Sequence, residues 1–259
     1  MRYIKIYFAF VSANLKELLS YRANFYSTVI TTLAWTAVSI IAVLIYSEQA
    51  PTLSGWSRQE LIGLTGVFSI VTGSCYTLFL SSFFSLTEKI RKGTLDYDLI
   101  KPLDSQFTAT VSKTSINNLA RVVAGIVLTI IAWPSGVSVI NFIKFIFLLI
   151  FACIALYGSW VTLVSLNFFS QRLGNIVDFL LEIFDQMGKT PSDTLKEANA
   201  WIFTFLLPFV MTLSFPVKSL WGKLSILETS ELVIGGLALF ILGRLFWQFS
   251  LKHYSSASS

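Results

Sequence analysis

The sequence predicts an all-α membrane protein with six transmembrane helices, an N-terminal interfacial amphipathic helix and a re-entrant hairpin before the last span. Three observations support this fold class. Of the 259 residues 54% are hydrophobic. Only 13% are charged, about half the fraction in a soluble domain. The charges are clustered, so five charge-free stretches of 20 to 27 residues remain, each long enough to cross a bilayer. They are 23–47, 61–87, 122–143, 145–171 and 198–217.

The N-terminal segment 1–21 has the pattern of an amphipathic helix. Its apolar side chains recur at helical spacing and share one face, and they are Ile4, Tyr7, Phe8, Val11, Leu15 and Leu18. Lys5 and Lys16 lie off that face. We therefore expect this helix to lie in the cytoplasmic interface of the membrane. The alternative is a plain cytosolic extension of the first span.

Hydropathy predicts five spans directly, at about 23–47, 61–87, 114–133, 142–170 and 232–249. Pro134 and Gly136 end the third span, because proline and glycine break helices. Arg121 lies two turns into the same span, and Arg244 lies near the end of the last one. We expect both long side chains to reach the interface. A functional intramembrane site is the alternative for Arg121.

The second span carries a small or hydroxyl-bearing residue at every fourth position. The series is Thr65, Ser69, Gly73, Thr77, Ser81 and Ser85. Residues four apart share a helix face, and small residues there allow helices to approach closely in lipid. Tight packing is one interpretation, and a polar stripe along a substrate path is the other. In the second case Ser69, Gly73 and Thr77 are candidate pathway residues.

The remaining crossing has no single position from hydropathy. The apolar stretch 198–217 is long enough to be the fifth span, which would leave 173–197 in the cytoplasm. Pro208 lies in the middle of that stretch and Pro216 near its end. Because proline removes a backbone donor and breaks a helix, a re-entrant hairpin covered by protein is equally consistent with it.

Lysine and arginine are distributed unevenly between the two sides of this topology. With a cytoplasmic N-terminus, only Arg58, Lys144, Lys218 and Lys223 of the 19 basic residues fall outside. The positive-inside rule then places both termini in the cytoplasm.

The cytoplasmic segment 88–104, between the second and third spans, has the sequence of a structured loop. Gly93 permits a sharp break, and Thr94 can cap a short helix after it. Asp96 favours the positive N-terminal end of that helix, and Pro102 ends it. The sequence thus predicts a short helix held at the membrane surface, and a plain structured loop is the alternative.

Leu95 and Leu99 share one face of this short helix, which would suit docking of a soluble partner. The segment resembles the coupling loop of permease subunits of type-2 ATP-binding-cassette exporters. The resemblance is carried by Glu88, Arg91, Lys92, Gly93, Thr94, Leu95, Asp96, Pro102 and Leu103. It extends over nearly the whole chain and is strongest to the short six-span permeases. By this resemblance these residues, with Leu99, are expected to dock in a cleft of the ATPase subunit.

The resemblance also bears on the uncertain crossing, because in that family a hairpin follows the fifth span on the outer side. The fifth span would then be about 173–189, and 198–217 would be the hairpin. Asp178, Glu182 and Asp185 would share one face of the crossing helix. Three carboxylates cannot face lipid, so they become candidate pathway residues.

The resemblance implies two ATPase subunits and a second permease chain, identical or paralogous, in the prokaryotic cytoplasmic (inner) membrane. Residues 187–190 resemble the end of a phosphate-binding loop, but Ile183 stands where its first glycine is required. We therefore expect no enzymatic activity and no cofactor in this single transmembrane domain, with ATP and magnesium in the partner. We also expect no nucleic acid and no metal. A membrane scaffold or assembly factor is the alternative function.

Overall fold

The computed structural model describes residues 2–20, 22–49, 55–169, 179–180, 183–184, 188–193 and 207–254. This part of the chain is predominantly helical, and its longest helices pack against one another as a bundle. The helices are α1 Arg2–Ser20, α2 Arg22–Gln49, α3 Arg58–Cys75, α4 Ser81–Lys92, α5 Asp96–Leu99, α6 Ser105–Val111, α7 Leu119–Ile131, α8 Val139–Ser165, α9 Leu207–Leu220 and α10 Ile226–Leu251.

The bundle has two ends that are structurally distinct. A π-helical turn, Tyr76–Leu80, joins α3 to α4, and the combined helix of 35 residues is about 50 Å long. That length exceeds the hydrocarbon thickness of a bilayer. We call the end of the bundle that carries residues 93–104 the loop end. The end at which α3 and α10 begin is called the opposite end.

Four helices of the described residues are long and apolar enough to cross a membrane. They are Phe25–Ile45, Arg58–Lys92, Val139–Phe168 and Ile226–Leu251. They coincide with the first, second, fourth and last spans predicted from hydropathy. The remaining predicted crossing is at 173–189 or 198–217, and in these ranges the structure describes 179–180, 183–184, 188–189 and 207–217.

The third predicted span is a broken helix rather than a straight one. Ser105–Val111 and Ile116–Ile131 together satisfy the same criterion but are bent by 61°. Ser82 on α4 fixes the break, because its hydroxyl donates to the carbonyl of Lys113 at 2.7 Å and accepts from the Lys113 N–H at 2.9 Å. The predicted start at 114 lies in the break, just before the second part of the helix begins at Ile116. The predicted end is correct, since α7 stops at Ile131, before Pro134.

Close helix contacts depend on glycine at two crossings. A Cβ on Gly125 of α7 would lie 2.6 Å from the carbonyl oxygen of Gly66 on α3. A Cβ on Gly243 of α10 would lie 2.6 Å from the carbonyl oxygen of Gly158 on α8. Neither crossing has room for a side chain. Small residues therefore set the spacing of both helix pairs.

The centre of the bundle is aromatic and contrasts with its flank. Phe184 lies with its ring 6.0 Å from both Phe68 of α3 and Trp160 of α8, and Phe68 and Trp160 are buried. On the flank, none of the described side chains of α2 is buried. The apolar side chains of α2 are thus available to lipid or to another chain.

The N-terminal segment is helical, as its periodicity predicts. The Tyr3 ring of α1 makes an edge contact with Phe107 of α6 at 4.9 Å, and the Asn14 amide donates to the carbonyl of Ser112 at 3.3 Å. Ile4 and Phe8, on the predicted apolar face, are exposed. Their exposure suits a helix at the membrane surface, and this location stays a prediction.

Candidate functional site at the loop end

The loop begins with a structured helix end at Gly93. This glycine has a positive φ of 68°, which a residue with a side chain rarely adopts. Its N–H donates to the carbonyl of Ile90 at 3.2 Å, and the Thr94 N–H donates to that of Lys89 at 3.0 Å. This pair of bonds is a Schellman motif, which satisfies carbonyls at the end of α4. The sharp break predicted at Gly93 is therefore confirmed.

The short helix that follows, α5, forms without the predicted cap. Leu95 rather than Thr94 occupies the N-cap position, and no side chain caps it. Asp98 stabilises the turn instead. Its carboxylate bridges the ammonium groups of Lys89 at 2.7 Å and Lys101 at 2.6 Å. Burial raises the pKa of Asp98, but the hydrogen bonds from the two lysines outweigh it, so the net pKa is lowered.

The apolar face of α5 is directed into the protein. Leu95 is only 1% exposed and belongs to the main hydrophobic core, against which Leu99 also packs. In this structure Leu95 is covered by the protein, and its role in docking stays a prediction. Tyr97 and Ile100, at 71% and 80% exposure, form the apolar outer surface of the segment.

The other residues predicted for docking are spread around this surface. Glu88 is exposed and pairs with Lys92 at 2.7 Å. Arg91, Thr94 and Pro102 are exposed, Asp96 and Leu103 are half-buried, and Gly93 is buried. The segment 88–104 therefore presents a mixed surface of basic, acidic and apolar groups around Tyr97 and Ile100.

The loop ends in a polar network that anchors it to two transmembrane helices. Asp104 caps α6 by accepting from the Phe107 N–H at 2.9 Å. The guanidinium of Arg244, on α10, binds both oxygens of this carboxylate, at 3.1 and 2.5 Å. It also donates to Gln106 at 2.8 Å, and the Gln106 amide donates to the Tyr157 hydroxyl of α8 at 3.0 Å. We call Asp104, Gln106, Tyr157 and Arg244 the loop-end network.

Sequence reasoning missed this network. It predicted that the Arg244 side chain reaches the interface, and it assigned Asp104 no role. The only local signal is an aspartate before a helix, which is typical of a cap. Burial raises the pKa of Asp104, but Arg244 and the Phe107 N–H more than offset it, so the pKa is lowered. The carboxylate is therefore ionised, as a bidentate pair with arginine requires.

The polar stripe on the second span is engaged in packing. The hydroxyls of Ser69 and Thr77 donate to carbonyls of their own helix, four residues back, at 2.9 and 2.8 Å. Gly73 lies against the backbone of Asn118 and Val122. Gly73 thus contributes to the contact with α7, and the pathway role of all three residues stays a prediction. The other candidates, Asp178, Glu182 and Asp185, lie outside the described residues.

Arg121 lies beside aromatic rings. Its guanidinium carbon is 5.9 Å from the ring centre of Phe68 and 5.7 Å from that of Tyr76, within the range of cation–π attraction. Both rings belong to the helix that continues from α3 into α4. The cation is thus half-buried against protein, and its predicted reach to the interface stays a prediction.

A second charged cluster lies at the opposite end. Lys218 of α9 pairs with Asp193 at 2.9 Å and with Glu228 at 2.8 Å, and the Trp56 indole N–H donates to Asp193 at 2.8 Å. Lys223 pairs with the buried Glu60 at 2.6 Å. We call these six residues the opposite-end cluster.

The location of Asp193 bears on the uncertain crossing. Phe169, after α8, contacts Phe249 of α10 at the loop end, whereas Asp193 lies at the opposite end. The chain therefore changes ends between these two described residues, as a crossing at 173–189 requires. Leu220 also lies at the opposite end, because α9 ends beside Lys218. A hairpin over 198–217 requires this as well, and it stays a prediction because 194–206 lie outside the described residues.

The fold and the site define a multi-pass helical membrane protein with a folded, anchored loop at one end. A family model described as ABC-2 family transporter protein matches residues 33–258. The chain therefore belongs to this family of transport permeases, which work with ATPase subunits. No curated protein and no solved structure matches the chain.

Proposed function

We propose that this chain is the transmembrane subunit of an ATP-driven exporter and that its segment 88–104 receives the partner ATPase. Two permease chains, identical or paralogous, form the translocation pathway, and two ATPase subunits bind ATP and magnesium. This chain contributes no catalytic group and no cofactor. The complex resides in a prokaryotic cytoplasmic membrane with both termini inside, as the charge distribution supports.

The observation that carries the proposal is the anchored loop with an exposed apolar tip. Surface apolar side chains at a loop tip are available for protein contact. Here they are Tyr97 in α5 and Ile100 directly after it, and both are exposed. The Asp98 bridges and the loop-end network hold both sides of the segment. A contact at the tip is therefore made on a fixed platform, so little ordering entropy is lost on docking.

The proposal is tested by making the tip acidic. Tyr97→Asp and Ile100→Asp should leave membrane insertion unchanged, because both side chains are exposed. Each should reduce the copurifying ATPase about tenfold, the loss typical of an interface anchor. Permease-dependent ATP turnover should fall in parallel. Leu95→Asp would instead place a charge in the core and damage the fold.

Ser135→Asp is the matched control, since Ser135 is an exposed turn residue near the opposite end. It should retain the ATPase. Equal retention by the Tyr97, Ile100 and Ser135 variants would contradict docking at this loop. Two other results would favour the scaffold function. In the first, the wild-type chain retains no ATPase, and in the second, the ATPase hydrolyses ATP at the same rate without the permease.

A further inference from the structure

The loop-end network lies directly on the crossing of two transmembrane helices. Arg244 follows Gly243 in α10, and Tyr157 precedes Gly158 in α8. Gly243 packs against the carbonyl of Gly158, and Gly158 packs against the backbone of Leu239, so neither position has room for a methyl group. Gln106 contacts both neighbours of this crossing, accepting from Arg244 at 2.8 Å and donating to the Tyr157 hydroxyl at 3.0 Å.

A second contact holds the first turn of α6, which contains Gln106, against α10. The indole N–H of Trp247, one turn beyond Arg244, donates to the Ser105 hydroxyl at 3.1 Å, and Trp247 is buried. Ser105 is the first residue of α6 and follows Asp104 directly. The end of the loop is thus fixed to α10 over one full turn, through a charge pair and a hydrogen bond.

The contacts form a continuous chain from the surface to the crossing. The tip residues Tyr97 and Ile100 precede Asp104 by less than ten residues, and the Lys101–Asp98 pair stiffens the intervening backbone. From Asp104 the contact passes to Arg244. Because α8 and α10 have no free space between Gly158 and Gly243, a force on Arg244 moves the two helices together rather than one against the other.

We propose that Asp104, Gln106 and Arg244 form a mechanical clamp that transmits displacement of the 93–104 loop to the α8–α10 helix pair. Arg244 acts as a positioning residue and touches neither nucleotide nor substrate. The inference rests on the proposed function, in which a docked ATPase displaces the loop. It adds the residues that carry this displacement into the membrane.

The test uses the permease bound to its ATPase in lipid nanodiscs, with Cys75 and Cys153 replaced by serine. Spin labels at Arg58 and Leu227, both exposed at the opposite end, report the distance between α3 and α10 with and without ATP. The variants are Asp104→Asn, Arg244→Gln and the double variant. Asparagine keeps the cap on α6, since Asn and Asp cap helices equally well, but it removes the charge.

The clamp predicts that both single variants retain the ATPase but lose the ATP-dependent distance change, with its population reduced about tenfold, as expected for a charged hydrogen bond. The double variant should be no worse than either single one, because both remove the same interaction. Lys252→Gln, which removes an exposed cation from the residue after α10, should behave like the wild type.

Two results would overturn the clamp. One is a wild-type distance change in Asp104→Asn or Arg244→Gln while the ATPase stays bound. The other is a double variant whose loss is the sum of two independent losses. If the Arg244→Gln permease does not assemble with its ATPase, the distance change in Asp104→Asn, which keeps the cap on α6, decides between the outcomes. A wild-type complex that binds no ATPase overturns the proposed function and the clamp together, which separates that failure from the first two.

Discussion

The two ends of the bundle are both joined by charged contacts to α10, but they are built differently. At the loop end one arginine binds one carboxylate and one amide, and the pair is partly open to solvent. At the opposite end Lys218 is nearly buried between two carboxylates, and Glu60 is buried under Lys223. Buried charges are costly when a partner is removed, whereas exposed pairs contribute little. Removing one partner of a charge pair is therefore expected to cost more at the opposite end than at the loop end.

The largest effect on stability is expected at Lys218. Lys218→Met removes the cation that faces Asp193 and Glu228, so we expect a loss of about 3 kcal/mol in the free energy of unfolding. Thermal unfolding of the purified protein measures it. Lys218→Met/Glu228→Gln should recover part of the loss, because glutamine keeps the capping box with Ser225. Arg244→Gln should cost only about 1 kcal/mol. Equal losses at Lys218 and Arg244 would remove the contrast between the two ends.

An intermediate effect is expected at the helix crossing beneath the loop-end network. Gly243→Ala places a methyl group against the carbonyl of Gly158, so overpacking should destabilise the protein by about 2 kcal/mol. Gly235→Ala is the control on the same helix, because a Cβ there has no neighbour within 4 Å. It should be neutral or stabilising by about 0.5 kcal/mol. A thermal shift of the same sign for both variants would show that the crossing is looser than described.

The smallest effect is expected from titration of Asp98 in the loop. Its pKa is lowered in the folded protein, so its contribution is present above its ordinary pKa of 3.8. That contribution is lost as the pH falls through the lowered value. At neutral pH the 93–104 loop should thus resist proteolysis, and a protease active in acid should cut the loop faster as the pH falls below 3.8. In Asp98→Asn the rate of cutting should vary less with pH. If the rate of cutting of Asp98→Asn depends on pH as strongly as that of the wild type, another group is responsible for the pH dependence.

Hydropathy was sufficient to locate the spans that are apolar along their length. It was insufficient to locate a helix that begins with polar residues. The span α2 has no charged residue between Arg22 and Glu48, so its bounds were close to those predicted. The helix before the break, α6, contains Ser105, Gln106 and Thr108, which are polar and hide it from a hydropathy profile. The bonds of Ser82 to Lys113 that fix the break join residues far apart in sequence, and no local pattern reports them.

The candidate site shows the same limit. Spacing placed Leu95 and Leu99 on one face but could not tell whether that face points inward or outward. Burial of Leu95 depends on the core formed by other helices. The pair of Asp104 and Arg244 joins residues 140 positions apart, so only the folded structure brings them together. The glycine break at 93, by contrast, is a local property and was predicted.

The bare flank of α2 has a consequence for how the protein is made. None of its described side chains is buried, so its affinity for lipid is a property of its own sequence. In α3 most of the apolar stretch is buried against neighbours, and Gly66 and Gly73 pack against the α7 side. During synthesis α2 can leave the translocation machinery alone, whereas α3 reaches its final environment only after the chain has extended through α7. We therefore expect the first span to anchor the chain in the membrane before the bundle forms.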